Sequence, residues 1–452
     1  MRSRPRGGRV QALREATTGA LWPLPTAAIL LAVGLGIGLT ELDQALGYGE
    51  DPIRFVFTGG PSAARTLLSA IASSLISVTT LLFSLTIVTL QLASSQYSPR
   101  LLQTFVRDRV VQTCLGVLLG TFVYALVVLR TVRSADEAQG SSFVPRISVT
   151  VAFLFALASV AALVTFLSHQ TRQLRVETMM RDVHSESART RARLHERQEE
   201  DQQPDRPLPQ VPDSARPLCA RSSGFLVQVF EGPLLEAVTG AGAVLLLDRR
   251  PGDTVVAGAP MAWAWSQDAG NGVQVEELEK ALQRAVHLGH ERADVADPSY
   301  GLRKLVDIAA RALSPGINDP TTAGHALSHV SALLGDAAAR DTWHRRLTDE
   351  DGAERLVLRS WTFSELLELG VTQVRYYGRE DLTVVDRLFA LLAEVAWRAR
   401  TPAQQRAVRQ HLDALVEQSR TSPPAGRTLD DVQRWARTVD EALAGRWLRP
   451  AS

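Results

Sequence analysis

Between Ser62 and Ser98 a polar residue recurs at nearly every helical turn: Ser62, Thr66, Ser69, Ser73, Ser77, Thr80, Ser84, Gln91, Ser95 and Ser98. At about 100° per residue they fall within an arc of roughly 80°. Only Ile87 interrupts them, and Leu75, Ile76, Val78, Leu82 and Phe83 occupy the opposite side. No Asp, Glu, Lys, Arg or His occurs from Thr66 through Pro99, which reads as a membrane helix with one hydroxyl-lined face. Hydrocarbon cannot satisfy that face, so it must meet another helix, an identical subunit or water. Two chemistries follow. In one, Ser69, Ser73, Ser77, Thr80 and Ser84, with Gln91 at the inner mouth, line a hydrated path whose hydroxyls replace water around a passing ion. In the other, the same small residues let helices close up and hydrogen-bond across a seam. The helix carries no charge, which argues against a carboxylate proton relay.

A second constellation is the loop Ser314-Pro315-Gly316-Ile317-Asn318-Asp319-Pro320-Thr321-Thr322. Free N–H groups of Ser314, Asn318 and Thr321 suit an anion or phosphate, with Arg303 or Arg311 supplied by the preceding helix. Asp319 opposes an anion, and the plainer reading is that Asn318, Asp319, Thr321 and Thr322 cap the next helix. His325 and His329 stand one turn apart, as a zinc pair would, and His287 and His290 are three apart. The residues between His325 and His329 are Ala-Leu-Ser, so no metalloprotease motif exists, and solvated or packed histidines are the expectation. Arg284, Arg292, Asp294, Asp297 and Tyr300 are close enough in sequence to share a pocket. No GxSxG, Walker or dinucleotide-binding glycine pattern occurs. The expectation is therefore no catalytic residue, no metal, no cofactor and no enzyme.

The elements that position these residues divide the chain. Apolar runs at 21–40, 66–96, 110–129 and 147–168 predict four membrane spans. Gly34 and Gly38, and again Gly116 and Gly120, are four apart, where another backbone can approach closely. Arg2, Arg4, Arg6, Arg9 and Arg14 precede the first span, Arg100, Arg107 and Arg109 follow the second, and Arg172, Arg175 and Arg181 follow the fourth. This asymmetry predicts both termini in the cytoplasm of a bacterial inner membrane. A short amphipathic helix at the interface is expected over 98–109.

Residues 171–217 read as a charged helical stalk, with Leu174, Val176, Met179, Met180 and Val183 extending the fourth span, and then a linker holding five prolines. Residues 218–270 predict strands at 225–230, 243–247, 255–256 and 261–265 around the turn Arg250-Pro251-Gly252-Asp253, a small β-barrel-like module. From 271 to 452 the pattern is a helical bundle, with helices at about 275–290, 299–313, 320–339, 354–376, 381–400, 402–419 and 428–447. Asp297-Pro298 and Asp319-Pro320 place an acid at a helix N-cap and proline at the first helical position. Trp343, Trp361, Trp397, Trp435 and Trp447 read as core or subunit-contact anchors.

The formal net charge is +1, with no basic tract, so nothing points to nucleic acid. Cys114 and Cys219 form no CxxC pair. Four segments, ISVTTLLFSLTIVTLQLASSQYSPRLL (76–102), LGTFVYALVVLRTVR (119–133), RPGDTVVAG (250–258) and DPSYGLRKLVDIAARALSPGINDPTTA (297–323), together resemble the domain of unknown function 2254 family of bacterial membrane proteins. The resemblance implies four membrane helices before a cytoplasmic domain, and it carries no assigned reaction. The reading is thus a membrane α-helical region of 1–170 joined to a cytoplasmic α+β domain. The expected function is an oligomeric channel or passive transporter for an ion or small solute, and the rival is a membrane-anchored signalling or scaffold protein whose soluble domain binds a ligand. A membrane enzyme using acids and histidines of 287–325 is the weakest class.

Overall fold

Four apolar runs fold as helices, and each is long and apolar enough to cross a membrane: α1 (Pro23–Leu46), α2 (Pro61–Gln96), α3 (Arg109–Leu129) and α4 (Arg146–Gln173). The computed structural model describes residues 22–46, 57–96, 108–134, 143–173, 175–200, 207–266, 273–292, 296–339, 344–424 and 426–447. The arginines before α1, the connector over 98–107 and Trp343 lie outside the described residues. The chain forms two units, Met1–Arg175 and Val176–Ser452.

In the first unit α3 is central: 56% of its apolar window is buried, against 22–28% for the other three helices, and it packs on each of them. Asp108 caps its start, accepting from the Val110 N–H at 2.7 Å, and His169 of α4 reaches the same carboxylate at 2.5 Å. Ala28 of α1 crosses α3 between Gly116 and Gly120, where a Cβ would come within 3.3–3.4 Å of it. Gly34 and Gly38 behave otherwise. Nothing lies within 4 Å of a Cβ at either, and it is Gly36 that faces Val127. The expected close approach at 34 and 38 therefore does not occur within this chain. Buried Tyr124 donates to the Ser148 carbonyl at 3.1 Å and sets its ring edge-on to Phe155.

The second unit begins with α5 (Val176–Glu200), whose Met179, Met180 and Val183 are buried, and which packs on α8 (Pro298–Ala312) and α9 (Pro320–Ala339). The expected stalk is thus a helix docked on the bundle. Strands β1 (Arg216–Cys219), β2 (Gly224–Val229), β3 (Ala243–Leu247), β4 (Thr254–Val255) and β5 (Pro260–Ser266) follow, with helix α6 (Glu231–Gly240) between β2 and β3. They do not close into a barrel. β3 pairs with β5 on one edge, but its other edge takes β8 (Glu354–Leu358) in parallel, giving the five-stranded order β1-β5-β3-β8-β7, with β7 at Arg345–Thr348. A separate antiparallel sheet runs β4-β2-β6, with β6 at Val286–Gly289. One apolar core serves both sheets, α6 and α7 (Val275–Ala285).

Two helical expectations are corrected by these pairings. Residues 354–376 split into β8 and α10 (Phe363–Tyr377), and 275–290 into α7 and β6. A short apolar run such as Leu356-Val357-Leu358 has no periodicity that separates a buried strand from a buried helix. Every residue of β3 is buried, as expected of a strand covered on both faces. The remaining helices are α11 (Leu382–Arg398), α12 (Pro402–Thr421) and α13 (Leu429–Leu443). Thr362, Thr401 and Thr428 begin α10, α12 and α13 with reciprocal capping boxes.

Candidate functional site

On α2 the hydroxyl face points away from the four-helix core. Ala64, Leu68, Ala72, Leu75, Thr79 and Leu82 are buried, while Ser69, Ser73, Ser77, Thr80, Ser84 and Gln91 are all exposed. The hydroxyls of Ser77, Thr80 and Ser84 donate to the carbonyls of Ser73, Ile76 and Thr80 at 2.9, 2.9 and 3.1 Å. Ser73 donates to Ala70 at 3.2 Å. Back-bonding satisfies the single hydroxyl donor and leaves the oxygen lone pairs outward, so the stripe offers acceptors to water, a cation or a facing helix.

The loop at 314–322 uses its polar groups internally. Asn318 takes φ +51, its N–H donates to the Ser314 carbonyl at 2.9 Å, and the Asp319 N–H donates to Ala312 at 2.8 Å. The Asp319 carboxylate accepts from the Thr322 N–H at 3.0 Å, and the Thr322 hydrogen bonds hold it below its ordinary range. Ser314 turns back to Arg311, Thr321 is exposed, and Arg303, three turns earlier on α8, pairs with Asp307 at 3.1 Å. The five residues are therefore not gathered around a shared centre. His329 packs against His184 with ring centroids 5.2 Å apart, and burial with the neighbouring His184 and His325 keeps its imidazole below the ordinary value.

Arg292, Asp297 and Tyr300 do come together, without Arg284, which turns to the Lys280 carbonyl, while Asp294 lies outside the described residues. Asp297 caps α8 through the Ser299 N–H at 3.0 Å and accepts from Arg292 at 2.5 Å. Burial pushes its carboxyl up, while Arg292 and Ser299 pull against that shift. This carboxylate lies against Gly252 in the Arg250–Asp253 turn, where φ is +96 and an added Cβ would overlap it. The segments 250–258 and 297–323 thus meet at one point. Gly252→Ala is expected to destabilise the protein by about 2 kcal/mol, from the left-handed backbone and the displaced cap. Thermal melting of the purified protein checks this, and an unchanged Tm would refute it.

Parallel pairing of β3 with β8 places a cavity at the strand ends. Leu247 pairs with Leu358, and the Arg359 N–H donates to the Leu247 carbonyl at 3.2 Å, so both strands release their following loops at one end. In open sheets, ligands bind where parallel strands end. One loop supplies Arg249, Arg250 and Pro251; the other supplies Arg359, Ser360 and Trp361. Together with Arg191 and Arg193 from α5 and Arg345 from β7, they line a cavity of about 210 Å³. Its floor is ordered by Glu365, at the third position of α10. Arg250 donates to Glu365 at 2.6 Å and to the Ser360 carbonyl at 3.3 Å, with its guanidinium 3.6 Å above the Trp361 ring. Arg359 bridges Asp248 and Glu365, both at 3.1 Å. Against the cost of burial, the Arg250 and Thr362 hydrogen bonds hold Glu365 down at about 2. Sequence reading passed over this site: only two of the chain's 49 basic residues are lysine, so arginine is nearly the default cation and signals nothing by itself.

Four helices long and apolar enough to cross a bilayer, followed by a mixed sheet-and-helix unit, define the architecture of a multi-pass membrane protein. The chain belongs to the family described as Predicted membrane protein (DUF2254), whose model matches residues 18–394. It is similar to the uncharacterized protein Rv1290c of Mycobacterium tuberculosis, 34% identical over 409 residues, covering 90% of this chain and 78% of that one. Uncharacterized protein Mb1321c of Mycobacterium bovis matches to the same extent. No solved structure matches the chain.

Proposed function

We propose that the protein is a homo-oligomeric, non-catalytic conduit for an ion or small solute, its copies meeting along the hydroxyl face of α2. One observation carries this reading: a stripe of five hydroxyl residues and Gln91 faces outward along one helix of a unit that elsewhere exposes large apolar residues such as Leu30, Leu31, Leu154, Leu157 and Val160. Lipid suits the leucines and leaves the stripe's oxygens without donors, whereas a ring of identical faces gives them water or one another. The arginine asymmetry orients both termini to the cytoplasm of a bacterial inner membrane, with the soluble unit regulating the path. The arginine-lined cavity favours the second reading, a membrane-anchored protein that responds to a ligand.

Ion flux through protein reconstituted in liposomes tests the conduit. Ser77→Leu/Ser84→Leu is expected to cut flux at least tenfold while the oligomer persists by size. In a Cys114→Ala/Cys219→Ser background, cysteines at 73, 77, 80 and 84 are expected to react with a charged thiol reagent. Inert cysteines and no flux at any salt or pH would leave the face as packing alone and turn attention to the ligand-responsive reading.

A further inference from the structure

We infer that the cavity at the ends of β3 and β8 is a binding site for a compact phosphate-bearing anion. This does not depend on whether α2 lines a path. Among the described residues lining it, Arg191, Arg193, Arg249, Arg250, Arg345 and Arg359 face a single carboxylate, Glu231. Acids behind the wall, Asp248 and Glu365, hold Arg359 and Arg250 in place, so their planes are set before any ligand arrives. Binding to fixed guanidiniums avoids the rotamer entropy that flexible cations lose.

Two buried donors at this wall have no hydrogen bond among the described residues. Arg250 is 7% exposed, and its Nε–H has no hydrogen bond, the nearest carboxylate oxygen of Asp253 being 3.7 Å away. The Trp361 indole N–H is buried and also has no partner. Arg249 engages no partner among the described residues. Buried donors are rarely left unpaired, and a ligand that answers several of them must be rich in acceptors. A phosphate presents three strong acceptor oxygens and nearly two negative charges, and planar guanidiniums match its geometry. A carboxylate brings two oxygens and a single negative charge, a weaker match than phosphate to this many guanidiniums.

Size limits the ligand further. About 210 Å³ is below the range of roughly 300–1,000 Å³ usual for larger organic ligands, which suits a compact anion. Val229, Leu247, Leu358 and Leu366 provide an apolar wall for a short carbon portion. Arg191, Arg193, Leu194 and His195 come from α5, which begins three residues after the end of α4 at Gln173. The anion would therefore bind across α5 and the strand-end loops.

Calorimetry on the full-length protein, in detergent with zwitterionic lipid only, tests the site with inorganic pyrophosphate as probe. A second arm titrates nanodisc-embedded protein containing phosphatidic acid. Saturable pyrophosphate binding is expected, weakened at least tenfold by Arg249→Gln and several-fold by Trp361→Phe, and unchanged by Arg303→Gln. Hydrogen exchange should slow at 191–195, 249–252 and 359–361 when pyrophosphate is present. Binding seen only with phosphatidic acid, and lost in the same variants, would support the phosphate site and assign its source to a lipid headgroup. No saturable binding in either arm overturns the inference, as does binding that Arg249→Gln and Trp361→Phe leave intact. Each variant's Tm is compared with wild type, and because neither substitution removes an observed ion pair, either one alone can carry the test.

Discussion

Asp43→Ala is expected to lower the stability of the four-helix unit by about 4 kcal/mol, the largest single-residue effect outside the apolar core. Asp43 is 1% exposed, near the end of α1, and its carboxylate begins α4 from another helix. It accepts from the Ile147 N–H at 3.0 Å, the Ser148 N–H at 2.9 Å and the Ser148 hydroxyl at 2.6 Å. Those N–H groups have no intrahelical partner at a helix start. Alanine would leave three donors buried and unmet, each at a cost of about 1–3 kcal/mol, and remove a negative charge from a positive helix end. Asparagine keeps one acceptor oxygen and is expected to restore about half of the loss. Tm of purified protein in detergent gives the answer, and Asp43→Ala within about 2 °C of wild type would remove the argument.

Asp43 also marks the limit of what the chain's order reveals. By position it reads as one of four acids in a polar loop, because α1 continues past the apolar run that defines it. The spans themselves were legible, since about 20 uncharged residues have few other uses. So were the crossing at Gly116 and Gly120 and the caps at Asp297 and Asp319, which depend on neighbours within one or two turns. The hydroxyl stripe was legible as a stripe, and its outward direction became visible only once Leu68, Leu75 and Leu82 were seen packed inside. Long-range pairing left no local trace. β3 meets β8 across more than a hundred residues, and that single parallel contact opens the supposed barrel and gathers arginines from four separate stretches. No periodicity encodes such a meeting.

Glu365 is where that meeting is held, and its charge makes the hold dependent on pH. The carboxylate accepts from Arg250, Arg359 and both the N–H and hydroxyl of Thr362. Its value in the folded protein, about 2, lies below the ordinary 4.5, so folding favours the ionised form. The stability this supplies is fully present above about pH 4.5 and is lost as pH falls towards 2. With 30% of the side chain exposed, it amounts to about 2 kcal/mol, less than the full shift would imply. Glu365→Gln removes this dependence, while Glu365→Ala also deprives Arg250 of its principal acceptor and costs about 3 kcal/mol at neutral pH. Unfolding measured from pH 7 down to pH 3 should show the gap between wild type and Glu365→Gln wide at neutrality and narrowing below about pH 4.5. A gap that stays constant over that range would mean that Glu365 acts by shape and not by charge. The cavity floor would then owe its order to the Arg250–Trp361 stack, and Trp361→Leu, not Glu365→Gln, would be the substitution that loosens it.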